Sequence, residues 1–365
     1  MVVNLFKTLK NTWGKNPLPS SETKGLPSSE TKGEPPVTPP APPLMSIENQ
    51  ITPSPPDSSP TLSQTIPQWQ LDYQALPWLD QPDAHQQLEA KYKTGTLCDQ
   101  HYHWLKQWID HGYFVVDDLF SPDLLDTMIQ DLDQLWYVPE PVPSLTVYHL
   151  GPNREDCRDY THAEVLALPV AVREQMRDHS NWRIHGVHEI TEGARAIFQT
   201  PALSELASLI LGQPCGPKYS ISFQGGSQQR LHEDMSVFHI VPLNHIIGIW
   251  VAAEDISPDS GPLVIYPGSH RATLYEKFTN YPQTNVRTAG AESKQAYFDW
   301  VKKRAENYPR KEFLAKKGQV LFWHGMLIHG GSEIKNPNLT RRSFVMHCIP
   351  DGCDRATEVY GPFNW

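Results

Sequence analysis

From Gly14 to about residue 66 the chain is built mainly of Pro, Ser, Thr, Lys and Glu and nearly lacks aromatic residues. Such a stretch cannot bury enough apolar surface to offset its ordering entropy, so the fold must come from the residues beyond it. It contains a tandem octapeptide, Leu18–Gly25 and Leu26–Gly33, each copy reading Leu-Pro-Ser-Ser-Glu-Thr-Lys-Gly. Two polar octads do not make a solenoid; duplication within tolerant linker sequence accounts for them. The expected organisation is a disordered Pro/Ser-rich arm over residues 1–66 and one folded domain over 67–365. Within that domain a helical part is expected at 84–212 and a β part at 217–350.

Ahead of the linker, Val2, Leu5, Phe6, Leu9 and Trp13 fall on one side of a helical projection, with Lys7 and Lys10 on its flank. The pattern over residues 2–13 is that of a short amphipathic helix able to touch a membrane surface or a partner. An isolated helix of this length is marginal, and chance periodicity in a frayed terminus is the stronger of the two readings. A formal net charge of -10 withholds the electrostatic footprint of a nucleic-acid binder. No apolar run approaches the ~18 residues of a membrane span. The 5 cysteines follow no metal-type spacing and are odd in number, as expected of reduced thiols in a cytoplasmic protein.

Helix is expected over 86–110, and again after Ser121-Pro122-Asp123, where Ser caps, Pro fits the first turn and Asp favours the dipole. Leu124, Leu125, Met128, Ile129, Leu132 and Leu135 then form a helical apolar stripe. Further helices are expected at 170–178, 202–211 and 293–306, the last inside a long insertion over 271–317. From Pro217 the texture changes to short strands: Tyr219–Phe223, Gln229–Met235, Ile246–Ala253, Pro262–Tyr266, Val320–His324 and Arg342–Cys348. Short strands divided by turn signals suggest a sandwich or barrel.

Two of these strands carry candidate chemistry. His232 and Asp234 lie two apart, so in an extended strand their side chains share a face while Glu233 points away. A His-x-Asp triplet alone is a common polar strand edge. With a second imidazole from a distant strand, His329 in Leu-Ile-His-Gly-Gly, it becomes two His and one carboxylate, the arrangement that suits non-haem Fe(II). Arg341 and Ser343 also share a face, where a guanidinium fork and a hydroxyl could hold a carboxylate. Arg342 would then face outward, the two arginines exchanging roles if the register slips by one. His347 lies on the Arg341 face, and His324 is a nearby competitor of His329.

Taken in order, these motifs resemble the phytanoyl-CoA dioxygenase family over residues 108–350. The resemblance rests on four segments: His111-Gly112-Tyr113-Phe114-Val115-Val116 with Phe120-Ser121-Pro122; Trp250-Val251-Ala252 through Gly261-Pro262-Leu263 to Pro267-Gly268-Ser269-His270; Gly318-Gln319-Val320-Leu321-Phe322-Trp323-His324; and Leu327-Ile328-His329-Gly330. Gln319 departs from the family's usual Asp, at a position that is not a ligand. The resemblance implies a double-stranded β-helix, a jelly-roll or cupin-like barrel with flanking helices. It implies Fe(II) held by His232, Asp234 and His329, with the later His of the distal segment preferred over His324. It further implies 2-oxoglutarate and O2 as co-substrates, the former's distal carboxylate on Arg341 and Ser343. The expected activity is hydroxylation of a small-molecule or acyl substrate with release of succinate and CO2. The rival is a non-catalytic barrel, a binding or scaffold module tethered by the Pro-rich arm; a missing ligand would mark it, and none is missing.

Overall fold

The computed structural model describes residues 75–355, apart from 153–155, 239, 276, 278–285 and 287. The Pro-rich arm over 1–66 and the amphipathic pattern over 2–13 lie outside the described residues, as does His239.

The expected helix over 86–110 is two helices, α1 (Ala84–Lys93) and α2 (Asp99–His111). Gly95 adopts φ +72°, and the N–H of Thr96 returns to the Lys91 carbonyl at 2.9 Å, ending α1 in a left-handed cap. After β1 (Tyr113–Val116) comes α3 (Pro122–Gln134), whose Leu124 N–H donates to the capping Ser121 hydroxyl at 3.3 Å. Its stripe buries Leu125, Met128 and Leu132. Next come β2 (Thr146–Leu150), β3 (Arg158–Thr161), α4 (His162–Ala167), α5 (Val170–His179) and β4 (Arg183–His185). The short α6 (Val187–Ile190) and α7 (Glu192–Phe198) lead to α8 (Pro201–Leu211). The β part comprises β5 (Cys215–Phe223), β6 (Ile240–Val241), β7 (Ile247–Ala252) and β8 (Leu263–Ile265), then the insertion helix α9 (Ala291–Ala305). It closes with β9 (Lys311–Phe313), β10 (Val320–His324), β11 (His329–Gly331), β12 (Ser343–Pro350) and β13 (Asp354–Arg355).

The larger sheet has eight strands in the order β1-β10-β7-β12-β5-β4-β2-β3, and a smaller one runs β11-β8-β9. Every pairing in both is antiparallel. Their inner faces share one core, in which Ile221, Trp250, Leu321 and Val345 of the larger sheet meet Leu263, Ile265 and Phe313 of the smaller. Trp250 and Phe313 make an edge-to-face contact across it at 5.6 Å. Helices α2, α6 and α8 flank the larger sheet. The architecture is thus the mainly β, cupin-like one expected. It differs in that the two sheets stay separate instead of closing into one hydrogen-bonded barrel.

The expected strand over Gln229–Met235 does not form. His232 is bridged to His329, and Asp234–Ser236 is a single 3-10 turn. The Asp234 carbonyl takes the N–H groups of Val237 and Phe238 at 2.9 and 2.8 Å, and the Met235 N–H is captured by the Gly325 carbonyl at 3.0 Å. With those backbone groups satisfied locally, no ladder extends past His232.

Candidate metal centre

His232 and His329 face each other from opposite sides of this bridge, their ring centroids 4.3 Å apart. Gly330 permits the approach: a Cβ there would stand 2.8 Å from the Gln229 carbonyl oxygen. One turn beyond His232, Asp234 brings its carboxylate to the same place. Its Oδ1 lies 3.8 Å from His232 Nε2 and 3.7 Å from His329 Nε2. The ligand atoms of these three side chains all lie within 4.8 Å of one another, and all three residues are buried.

The other nitrogen of each imidazole is engaged. His232 Nδ1 donates to the Arg230 carbonyl at 2.7 Å, and His329 Nδ1 donates to the Leu327 carbonyl at 2.9 Å. A donor N–H at Nδ1 leaves the Nε2 lone pair of each ring directed at the shared position, as in metal-bound histidines generally. Burial pushes the His232 imidazole down to about 3, so it is neutral and able to ligate at neutral pH. For Asp234, burial acts to raise the carboxyl, but the His329 and His347 imidazoles outweigh it and hold the group well below the usual carboxylate range. Asp234 Oδ2 also accepts from the Trp323 indole N–H at 2.8 Å. That indole lies across the strand from Gly248, whose missing side chain is the room the ring occupies. Two imidazoles with fixed tautomers and an ionised carboxylate fit a divalent transition metal.

The same cavity is lined by Arg341, Arg183, His347 and Trp250. Arg341 is 3 % exposed, and its guanidinium stands between Phe223 and Trp250, 5.7 and 5.8 Å from the ring centroids. One nitrogen donates to the Gly225 carbonyl at 3.2 Å while Nε has no partner, and no carboxylate of the described residues pairs with it. Burial lowers its pKa to about 10, leaving it charged. A buried, unpaired guanidinium is costly to hold unless an anion meets it, which fits the carboxylate of a bound organic acid. Arg342 turns the other way, to Asp133 at 3.2 Å, as the alternation of adjacent residues requires.

Ser343 is placed differently from the expectation. It opens β12 opposite Phe223 and Ala252, with a buried hydroxyl that has no protein partner. It does not line the cavity that Arg341 lines; it borders a small neighbouring one with Arg342, Asp133 and Trp182. His347 does line the site, its Nε2 3.4 Å from Asp234 Oδ2. His324 is turned away to Asp80, 3.0 Å from its Nε2, and its Nδ1 accepts from the Met326 N–H. Gln319 bonds Asp117 at 2.7 Å on the exterior.

Sequence reasoning did not single out Arg183, which reaches the cavity from β4 and bonds His149 at 2.8 Å. Nor did it find the part Trp323 plays. A cationic residue next to Trp182 and Ile184 in a short strand, and a Trp opposite a Gly, are the only signals each leaves.

Fold and donor set together define a cupin-like protein with two imidazoles and a carboxylate converging on one point. The chain belongs to the phytanoyl-CoA dioxygenase family, whose model matches residues 108–343. It is similar to the peroxisomal phytanoyl-CoA dioxygenase of Mus musculus, 24% identical over 255 residues that cover 68% of each chain. With the Homo sapiens enzyme of the same name it is 28% identical over 156 residues, 43% of this chain and 42% of that one. Among solved structures it resembles the non-heme alpha ketoglutarate dependent carbocyclase SnoK from nogalamycin biosynthesis, with a TM-score of 0.51 and 13% identity over 72% of this chain and 87% of that one. It also resembles EctD from S. alaskensis with bound Fe, with a TM-score of 0.50 and 16% identity over 72% and 80%. At these identities the structural likeness speaks to the fold. No helix among the described residues is long and apolar enough to cross a membrane.

Proposed function

We propose that this protein is an Fe(II)- and 2-oxoglutarate-dependent dioxygenase that hydroxylates a small-molecule or acyl substrate. The observation that carries the reading is one cavity holding both His232, Asp234 and His329 and the unpaired guanidinium of Arg341. Iron bound by the three ligands would supply the oxidative decarboxylation of 2-oxoglutarate by O2 to succinate and CO2, coupled to oxidation of a substrate C–H bond.

The chain's own contribution is positioning and electrostatics. Backbone carbonyls of Arg230 and Leu327 fix the two imidazole tautomers. Trp323 and His347 flank one carboxylate oxygen of Asp234, orienting the other toward the imidazoles. Arg341 binds the distal carboxylate of the co-substrate, with Phe223 and Trp250 sealing its guanidinium from water. Asp234 itself bears on the outcome, since family relatives that halogenate have a small residue in its place.

The cytoplasm is the compartment that fits an odd set of 5 cysteines without metal-type spacing. The mouse and human relatives are named as peroxisomal proteins, so fractionation of cells making the full chain decides the compartment. The activity is tested with purified, iron-loaded protein and 2-oxoglutarate under O2, screening small molecules and acyl esters for accelerated succinate release. Absence of both succinate release and a visible Fe(II)–2-oxoglutarate charge-transfer band would leave the non-catalytic barrel as the better description.

A further inference from the structure

A single bridge to His329 ties down the backbone of His232, and Asp234 follows in a 3-10 turn with no ladder, so the segment between and around them needs further support. The regular element against their segment is the insertion helix α9, and it touches the residues that flank each ligand. Glu233, between the two ligands, is fully buried, as are Ser236 and Tyr297. The Glu233 N–H donates to the Tyr297 hydroxyl at 3.1 Å, and that hydroxyl donates back to Glu233 Oε2 at 3.0 Å. Ser236 donates to the same oxygen at 3.0 Å. On the same helix, Gln295 Oε1 accepts from both terminal nitrogens of Arg230 at 3.2 Å, and the guanidinium lies 3.9 Å over the Phe298 ring. Arg230 is the residue whose carbonyl fixes the His232 tautomer. Leu231 and Ile328, the residues before His232 and His329, both pack into the apolar cluster that α9 builds from Tyr297, Phe298 and Val301.

We infer that α9 is a splint for the metal site and that Tyr297, through Glu233, is a positioning residue for His232 and Asp234. The inference rests on the reading that these side chains hold a metal ion. Side chains alternate here: where His232, Asp234 and His329 point into the cavity, their neighbours Leu231, Glu233 and Ile328 point to the helix behind it. Apolar packing alone would hold the segment against α9 but would let it slide along the helix. A carboxyl group is costly to bury, its Oε2 is met here by two hydroxyl donors, and those directional bonds fix the turn in one place. The splint acts on the ligands through one residue and touches neither substrate nor metal.

The test uses full-length protein and Co(II), whose visible d–d bands report ligand geometry without turnover. Tyr297→Phe keeps the ring in the cluster and deletes the hydroxyl. Its Co(II) affinity should fall on the order of 10–100-fold, the range seen when residues that orient metal ligands are lost, with altered d–d bands well below the unfolding temperature. Glu233→Gln keeps an oxygen that accepts both hydroxyls and should stay within about threefold of wild type. Ser236→Ala deletes one of the two donors and should fall between them; it replaces Tyr297→Phe should that variant not fold. A lowered melting temperature with unchanged affinity and bands in Tyr297→Phe overturns the inference, leaving the residue a packing element. Equal losses in Glu233→Gln and Tyr297→Phe also overturn it, because charge rather than hydrogen-bond geometry would then be the cause. Failure of the wild-type protein to take up Co(II) would instead overturn the metal reading beneath it.

Discussion

His232 and His329 exchange both backbone hydrogen bonds, each N–H donating to the other's carbonyl at 2.9 and 3.0 Å. This isolated bridge sets two imidazoles from distant parts of the chain side by side. It also makes the ligand pair as rigid as the backbone, since neither histidine can shift without breaking two bonds. The carboxylate that completes the set is held differently, by side chains, and the two kinds of support give different expected responses to mutation.

Trp323→Phe removes the indole donor to Asp234 and should weaken metal binding on the order of 10–100-fold with little loss of fold. Asp234→Ala removes a ligand and should abolish the Fe(II)–2-oxoglutarate band. Metal titration followed by that band ranks the variants. A Trp323→Phe protein indistinguishable from wild type would mean that the indole serves packing alone.

Arg341→Ala should weaken 2-oxoglutarate binding by about 2–5 kcal/mol, well over tenfold, because it leaves a carboxylate unpaired in a buried site. Arg342→Ala breaks a part-exposed pair with Asp133 and should cost about 0–1 kcal/mol of stability while leaving co-substrate affinity intact. Calorimetric titration of the iron-loaded protein distinguishes them, and the reverse ranking would refute the assignment of the anion site.

Acid should destabilise the fold through His185. Burial, with the Arg183 charge beside it, pushes this imidazole down from 6.5 to about 3 in the folded protein. As pH falls the unfolded chain therefore takes up the proton first. The stability that depends on the neutral ring is complete above pH 6.5 and is lost as pH falls toward 3. Between pH 7 and 5 that amounts to about 2 kcal/mol for one such group. Urea unfolding across this range measures the slope, which His185→Gln should flatten; an unchanged slope in the variant would place the acid sensitivity elsewhere.

A chain beginning at Gln68 should retain metal binding and 2-oxoglutarate turnover, because a Pro/Ser-rich arm has no core to contribute. Sedimentation with anionic vesicles tests the residues before the linker separately. Full-length protein that pellets while the shortened chain does not would assign residues 2–13 to membrane contact; pelleting of neither removes that reading. Loss of turnover on shortening would place the domain boundary too far along the chain.

The sequence by itself brought out His232, Asp234 and His329 as one candidate donor set, with the family resemblance choosing His329 over His324. The signals are local in the chain: a His-x-Asp triplet at His232 and Asp234, and a later His followed by two glycines at His329. The helical stripe of α3 with its Ser-Pro start, and the strand Val320–His324, were equally legible, because local propensity and burial agree there. Sequence could not show that residues 229–235 form a bridge and a turn in place of a strand. Ladder formation depends on what lies alongside, and Gly325 and Tyr297, far along the chain, capture the backbone groups a partner strand would have used. Nor could it show Trp323 on Asp234 or Ser343 off the cavity wall. Those placements depend on the space left by Gly248 and on how β12 enters its sheet, and so on packing between segments distant in sequence. Alternation says which residues share a face; only the assembled core decides what that face meets.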